Sequence, residues 1–289
     1  MERKTKLKVS SRLLVMLCIM LAGLMCAAVL MSFLSNASML ALLTIQDIVA
    51  FILPAIAAMA IFYHKPLHVM QFDRAPSWLA LAIVVVFYIV SLPAMNWLVS
   101  ANESMTLPSW LGGLEQAMHA AEDEAAATTQ QLLDIHSIVQ LIPTLIVVGL
   151  MAGLSEEILF RGAMLRTMQD SRLGTHAVVW LVAIIFSAIH LQFYGFIPRM
   201  LLGVWLGYLL VWTGSLWVPI IAHTLNNSTV VLFNYLSNTG VIPEGYGDNL
   251  GLPAEGGIPW LAIISFIASV ALAIATHYHY TRAHKDEQR

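Results

Sequence analysis

The sequence predicts an all-α fold: a polytopic integral membrane protein with about eight transmembrane helices. Three observations carry that prediction. Of 289 residues, 59% are hydrophobic and only 11% charged, against about a quarter charged in soluble domains, and mean hydropathy is +0.77. Apolar runs close to the roughly 20 residues needed to cross about 30 Å of hydrocarbon recur along the chain. Lys and Arg are gathered between alternate runs, as cytoplasmic loops require. The formal net charge of −3 excludes nucleic acid as a partner, and the lipid bilayer is the expected surroundings.

The first run, 13–34, follows Met1-Glu2-Arg3-Lys4-Thr5-Lys6-Leu7-Lys8. It mimics the charged and apolar regions of a signal peptide, but its length of about 22 residues and the spans behind it favour a retained anchor. Runs 47–63 and 77–99 come next. A polar loop from about Ser100 to Ser137 then carries Glu103, Glu115, Glu122, Asp123, Glu124 and Asp134. Its segment Trp110 to Leu133 is Ala-rich enough for a surface helix and reads as a solvated face. Run 138–168 is overlong for one span, or broken near Gly153. Runs 176–194, 196–213, 215–236 and 258–280 complete the set. Domain organisation follows: N-terminal helices and acidic loop over 1–135, and a second unit over 136–289.

Lys65 and Arg74 mark the second turn, Arg166 and Arg172 the fourth, and Arg282, Lys285 and Arg289 the tail; no Lys or Arg lies between Arg74 and Arg161. These positions predict cytoplasmic N- and C-termini, with the acidic loop outside. Cys18 and Cys26 share the first run and read as small apolar packing residues, with neither disulfide framework nor metal-type spacing.

Strongly polar residues inside the runs cluster in the C-terminal half: Glu156, Glu157, Arg161, His190, Arg199, His223, Asn226 and Asn227. Charges at that depth cost several kcal/mol unless paired or hydrated. Glu157 and Arg161 are four apart, on one helical face, where they can neutralise each other; a structural ion pair and support of a site are both open to them. Glu156 stands about 100° round the helix, free to face other helices. His223 and Asn227 are again four apart. Asn226 reads as interhelical hydrogen-bond glue, Arg199 after Pro198 as a side chain snorkelling to the outer interface. The tryptophans Trp97, Trp205, Trp212, Trp217 and Trp260 fit interfacial belts, and Gly203 with Gly207 a small-residue packing face.

Glu156, His190, His223 and Asn227 can converge from three helices on one water. A buried Glu is suited to general-base work, and His and Asn can donate to an oxyanion, so peptide-bond hydrolysis within the bilayer fits the set. Glu156, His190 and His223 also make a usual set for a divalent metal such as zinc, leaving a position for water. Asn is a poor zinc ligand, which favours an oxyanion or orienting role for Asn227.

At these residues the chain resembles the CPBP family of intramembrane proteases, which includes the CAAX prenyl endopeptidases and the Abi-type proteins. Three motifs match in order: Glu-Glu-x-x-x-Arg at Glu156 to Arg161, Phe-x-x-x-His at Phe186 to His190, and His-x-x-x-Asn at His223 to Asn227. The resemblance implies a CAAX-protease-like helical core opening to a conical cavity. It makes Glu156 the base assisted by His190, puts His223 and Asn227 at the oxyanion, and gives Glu157 and Arg161 a supporting role. Both metal-dependent and glutamate-dependent members are described, so the metal stays open. The implied substrate is a membrane-associated peptide or protein. The basic N-terminus, small size and lack of organelle signals suit a bacterial plasma membrane.

Three readings compete. Gly153-Leu154-Ser155 with His190 as base would suit a rhomboid-like serine protease, but leaves Glu156, His223 and Asn227 idle. A catalytically silent scaffold or immunity-type protein would keep the fold and bind without cutting. Buried Glu and His also suit a proton-coupled transporter, though no paired broken helices mark an inverted repeat.

Overall fold

The computed structural model describes residues 3–34, 36–254 and 257–286. Met1, Glu2 and the expected tail charge Arg289 lie outside them. The described chain is helical throughout, in the order α1 Val9–Phe33, α2 Met39–Phe62, the short α3 Pro66–Val69, α4 Trp78–Glu103, α5 Gly112–Leu133, α6 Ile138–Met168, α7 Thr175–Ala188, α8 Phe196–Thr213, α9 Trp217–Asn238 and α10 Trp260–Asp286.

Helix boundaries have local causes. Ser38 and Ser77 cap α2 and α4, their hydroxyls accepting from Ala41 N and Ala80 N. At α6, Ser137 Oγ accepts from Gln140 N, and Gln140 Oε1 reaches back to His136 N, a close variant of the capping box. Gly214, at φ +65°, ends α8 in the left-handed conformation that glycine adopts without a Cβ clash.

Among the described residues six helices are long and apolar enough by themselves to cross a membrane: α1, α2, α4, α6, α8 and α10. The other two of the eight expected runs form α7 and α9, which fall outside that set. At 14 residues, α7 is only about 21 Å long, short of the hydrocarbon thickness. α9 has the length, but His223, Asn226, Asn227, Asn234 and Asn238 lower its hydropathy. Two boundaries also move. α2 begins at Met39, so Asp47 lies inside it, and α7 stops at Ala188, leaving His190 on the following turn.

The main core joins α1, α2, α6, α7, α8 and α9 through Met16, Met59, Phe62, Leu159, Phe186 and Leu210 among others. A smaller cluster unites α4, α8 and α9 around Val84, Trp205 and Val218. Trp205 is therefore not an interfacial residue: it is buried and stacks on Phe87 at 4.6 Å. Trp217 is likewise tied inward, its Nε1 donating to Phe72 O at 2.8 Å.

Where the backbone is interrupted, side chains repair it, as a bilayer demands. Pro93 sits inside α4, and Ser265 of α10 inserts its hydroxyl beside it, accepting from Ala94 N and donating to Val90 O. Arg12, fully buried in α1, reaches Tyr63 OH at 2.6 Å and Asp170 Oδ2 at 2.8 Å, pinning α1 to the ends of α2 and α6.

Candidate active site

α6 positions the site. It is one continuous helix, not broken at Gly153, but two wide π-type segments, Leu145–Met151 and Ile158–Leu165, flank the α-helical turn Ala152–Glu157. Such wide turns recur at functional sites because they re-aim side chains. Two glycines let α6 come close to α9: a Cβ at Gly153 would stand 3.1 Å from Thr224 N and Oγ1, and one at Gly149 would collide with Ser228 Oγ. The two glycines, four apart, thus seat α6 against Thr224 and Ser228, also four apart.

On that turn three consecutive residues face three neighbours. Ser155 Oγ donates to Asp47 Oδ1 of α2 at 2.8 Å and to Ala152 O at 3.1 Å, fully buried. Glu156 faces α9, and its carboxylate lies 3.8 Å from His223 Nε2. Glu157 points into the core, where Oε1 accepts from Arg161 Nη1 at 2.6 Å and lies 2.8 Å from His223 Nδ1. Its side chain is fully buried, while that of Glu156 keeps 21% exposure. Glu156 is the one placed to meet water.

The carboxylate of Glu157 therefore does more than neutralise Arg161. As a carboxylate it can only accept, so the neighbouring proton belongs to Nδ1, and Nε2 is left to face Glu156. Arg161 is held in turn by Gly203 O at 3.0 Å and by the Phe186 ring, 4.7 Å from its guanidinium carbon. The supporting cluster spans α6, α7, α8 and α9.

A cavity of about 380 Å³ collects Glu156, His190, His223, Asn226, Asn227 and Arg199 on its wall. His190 enters from the turn after α7, its Nδ1 2.8 Å from Phe186 O and its ring against the Phe186 ring. The carbonyl assigns the proton to Nδ1 and leaves Nε2 uncommitted. That turn is tight: Leu191 has φ +55°, a conformation that costs a non-glycine residue roughly 1–2 kcal/mol. Asn102 of α4 clamps it, donating to Phe193 O and accepting from Ile197 N. Asn227 Nδ2 donates to Val148 O at 3.3 Å, within the first wide segment of α6, and Asn226 Nδ2 donates to Asn227 Oδ1.

Three expectations are corrected here. Arg199 does not snorkel to an interface; it lines the cavity, with Nη2 on Gln192 Oε1. The surface helix α5 is not only a solvated face. Thr129, Leu132 and Leu133 cover one side of the cavity, while His119 and Glu122 hold Tyr194 by its hydroxyl and its N–H. Ser155, committed to Asp47, is absent from the cavity wall, which removes the geometric basis of a Ser155–His190 pair. Asp47 carries no signal in the sequence, where it stands at the start of the run 47–63 and not inside it.

Among the described residues no three His, Cys, Asp or Glu side chains are grouped to hold a metal ion. Glu156, His190 and His223 share the cavity wall without being drawn into such a group, and the Nδ1 contacts of His223 to Glu157 and of His190 to Phe186 O leave both Nε2 atoms free, as metal-ligating histidines also hold them.

Comparison with known proteins bears on the same region. Residues 138–229, less than half of the chain but including all three motifs, match the family model described as type II CAAX prenyl endopeptidase Rce1-like. An 86-residue stretch is 35% identical to the "Uncharacterized protein YpbD" of Bacillus subtilis (strain 168), covering 28% of this chain and 41% of that relative. The chain thus spans less than half of that relative's length. No solved structure gives a significant match.

Proposed function

We propose that this multi-pass membrane protein, similar over residues 138–229 to the type II CAAX prenyl endopeptidases, is an intramembrane endopeptidase acting on a membrane-associated peptide or protein. One observation carries the reading. Glu157 Oε1 bridges Arg161 and His223, which presents His223 Nε2 to Glu156 on a cavity wall shared with His190 and Asn227.

Glu156 takes a proton from a water in the cavity, and the resulting hydroxide attacks the scissile carbonyl carbon. The carbonyl electron pair moves onto oxygen. With Nδ1–H turned to Glu157, Nε2 of His223 donates to that oxyanion in its imidazolium form. In that form the set Glu156, Glu157, Arg161 and His223 sums to zero charge, the arrangement a low-dielectric site favours. Asn227 Nδ2 keeps a second proton for the same oxygen. As the tetrahedral adduct collapses the C–N bond breaks, and Glu156 returns its proton to the leaving amine. His190 Nε2 is free to accept from the attacking water and orient it.

Each step uses the chain's own side chains alone. The Lys and Arg pattern supports cytoplasmic N- and C-termini, and the basic N-terminus and small size suit a bacterial plasma membrane.

The test is cleavage of a peptide library by purified protein in liposomes. Glu156→Gln should lower the rate by about 10²–10⁴, and His223→Ala by about 10²–10³. Loss of activity is also expected for His190→Ala, whereas Ser155→Ala should retain it. Activity surviving Glu156→Gln would overturn the mechanism; loss of activity with chelator, alongside stoichiometric zinc, would overturn its metal-free form.

A further inference from the structure

Among the described residues the one Lys or Arg on the wall of the catalytic cavity is Arg199, in the first turn of α8. The water-activating chemistry leaves it unused. Its surroundings are those of a binding residue more than of a structural one. Nη2 is steered by Gln192 Oε1 at 2.5 Å, while Nη1 has no hydrogen-bond partner. No carboxylate joins it in an ion pair among the described residues, although five of the six ion pairs found there use the chain's other Arg and His side chains within 2.8 Å. The guanidinium folds back over Gly195, where an added Cβ would stand 3.0 Å from Nη2. The absent side chain at that position makes room for this pose.

A half-buried guanidinium with an uncommitted donor, on the wall of a cavity where His223 is already matched to Glu156 and Glu157, is suited to a bound anion. Glu156 makes the requirement sharper. A substrate carboxylate entering the cavity would be repelled by Glu156 unless a cation met it, and no other basic residue lies between Arg161 and Arg282 outside the turn bearing Arg166 and Arg172.

We infer that Arg199, steered by Gln192, is a specificity-determining residue that pairs with a carboxylate of the bound peptide and so fixes which peptide bond lies over Glu156. The inference rests on the endopeptidase reading for its meaning, but not for its measurement. The carboxylate can come from the peptide's C-terminus or from an Asp or Glu side chain. Arg suits either, because its planar fork takes a carboxylate through two N–H groups.

Binding is measured on full-length Glu156→Gln protein in nanodiscs, by fluorescence polarisation of three mixed-sequence peptide pools labelled at the N-terminus. One pool has a free C-terminal carboxylate, one a C-terminal amide and no acidic residue, and one a C-terminal amide with a single internal Glu. One or both carboxylate pools should bind about tenfold or more tightly than the neutral pool, a ratio in keeping with a charge-assisted pair. Which of the two does so identifies the source. Adding Arg199→Gln should bring the ratio close to one, Arg199→Lys should keep part of it, and Gln192→Leu should reduce it while leaving the guanidinium in place.

Equal binding of all pools, binding of none, or a preference that survives Arg199→Gln in a monodisperse protein would overturn the inference. Wild-type protein is assayed for cleavage in parallel. Carboxylate preference without cleavage would sink the endopeptidase reading and leave the Arg199 site standing; cleavage without preference would do the reverse.

Discussion

Glu157 carries two partners on a single oxygen, and separating them predicts how the residue fails. In Glu157→Gln the amide can still meet His223 or Arg161, but the negative charge between them is gone. Removing one half of a fully buried pair costs about 3–5 kcal/mol, because the other charge is left uncompensated. The variant should therefore melt earlier in detergent and lose activity together. The double variant Glu157→Met with Arg161→Met tests which loss follows from which. With both charges removed, stability should recover towards wild type, since apolar replacement of a buried pair is often neutral or favourable. Activity should stay at least tenfold down, since His223 has lost the carboxylate that orients it. Recovery of both would reduce Glu157 to a structural counter-ion. Much of this is legible from spacing: a separation of four puts Glu157 and Arg161 on one face, and they do pair. The bond from Glu157 to His223 crosses 66 positions, and no periodicity within one helix reports it.

At the scale of elements, the approach of α6 to α9 decides whether the motifs meet. In the sequence Gly153 reads as a break in a long apolar run, and Gly149 carries no signal of its own. In three dimensions they are a seam of small residues of the kind that lets membrane helices pack closely. Their neighbours give them unequal tolerance. A Cβ at Gly149 meets the terminal hydroxyl of Ser228, which can rotate away, whereas at Gly153 it meets the Thr224 backbone as well. Gly149→Ala should change stability and activity little. Gly153→Val should cost about 1–3 kcal/mol through overpacking and move Glu156 away from His223. Thermal unfolding in detergent and the liposome cleavage assay check both, and equal effects at the two positions would count against the seam. The short α7 was misjudged for a related reason: the apolar run continues past Ala188 through Ile189 and Leu191. Composition does not register the turn that Asn102 clamps from another helix.

The whole molecule is polarised, and the polarity bears on where catalysis happens. Lys4 reaches the carbonyl of Ala60 at the end of α2, and Arg12 and Tyr63 meet Asp170 beyond α6. The basic residues of the N-terminus and of the turns after α2 and α6 are thereby gathered at one end. The opposite end is built from α5, the turn bearing His190, and the segment after α9. Apart from Arg199 its connecting segments hold no Lys or Arg, and α5 alone carries Glu115, Glu122, Asp123 and Glu124. The cavity lies against this acidic end, with Thr129, Leu132 and Leu133 of α5 on its wall. If basic loops stay cytoplasmic, the catalytic water is reached from outside the cell, and a substrate must present its scissile bond on that side. Site-specific labelling can decide this. With Cys18 and Cys26 replaced by Ser, a cysteine at exposed Gln116 of α5 should react with a membrane-impermeant maleimide in intact cells stripped of their outer envelope. A cysteine in place of Lys65, in the turn after α2, should react only after permeabilisation. Gln116→Cys protected in intact cells and Lys65→Cys labelled would invert the molecule and place the same chemistry at the cytoplasmic face.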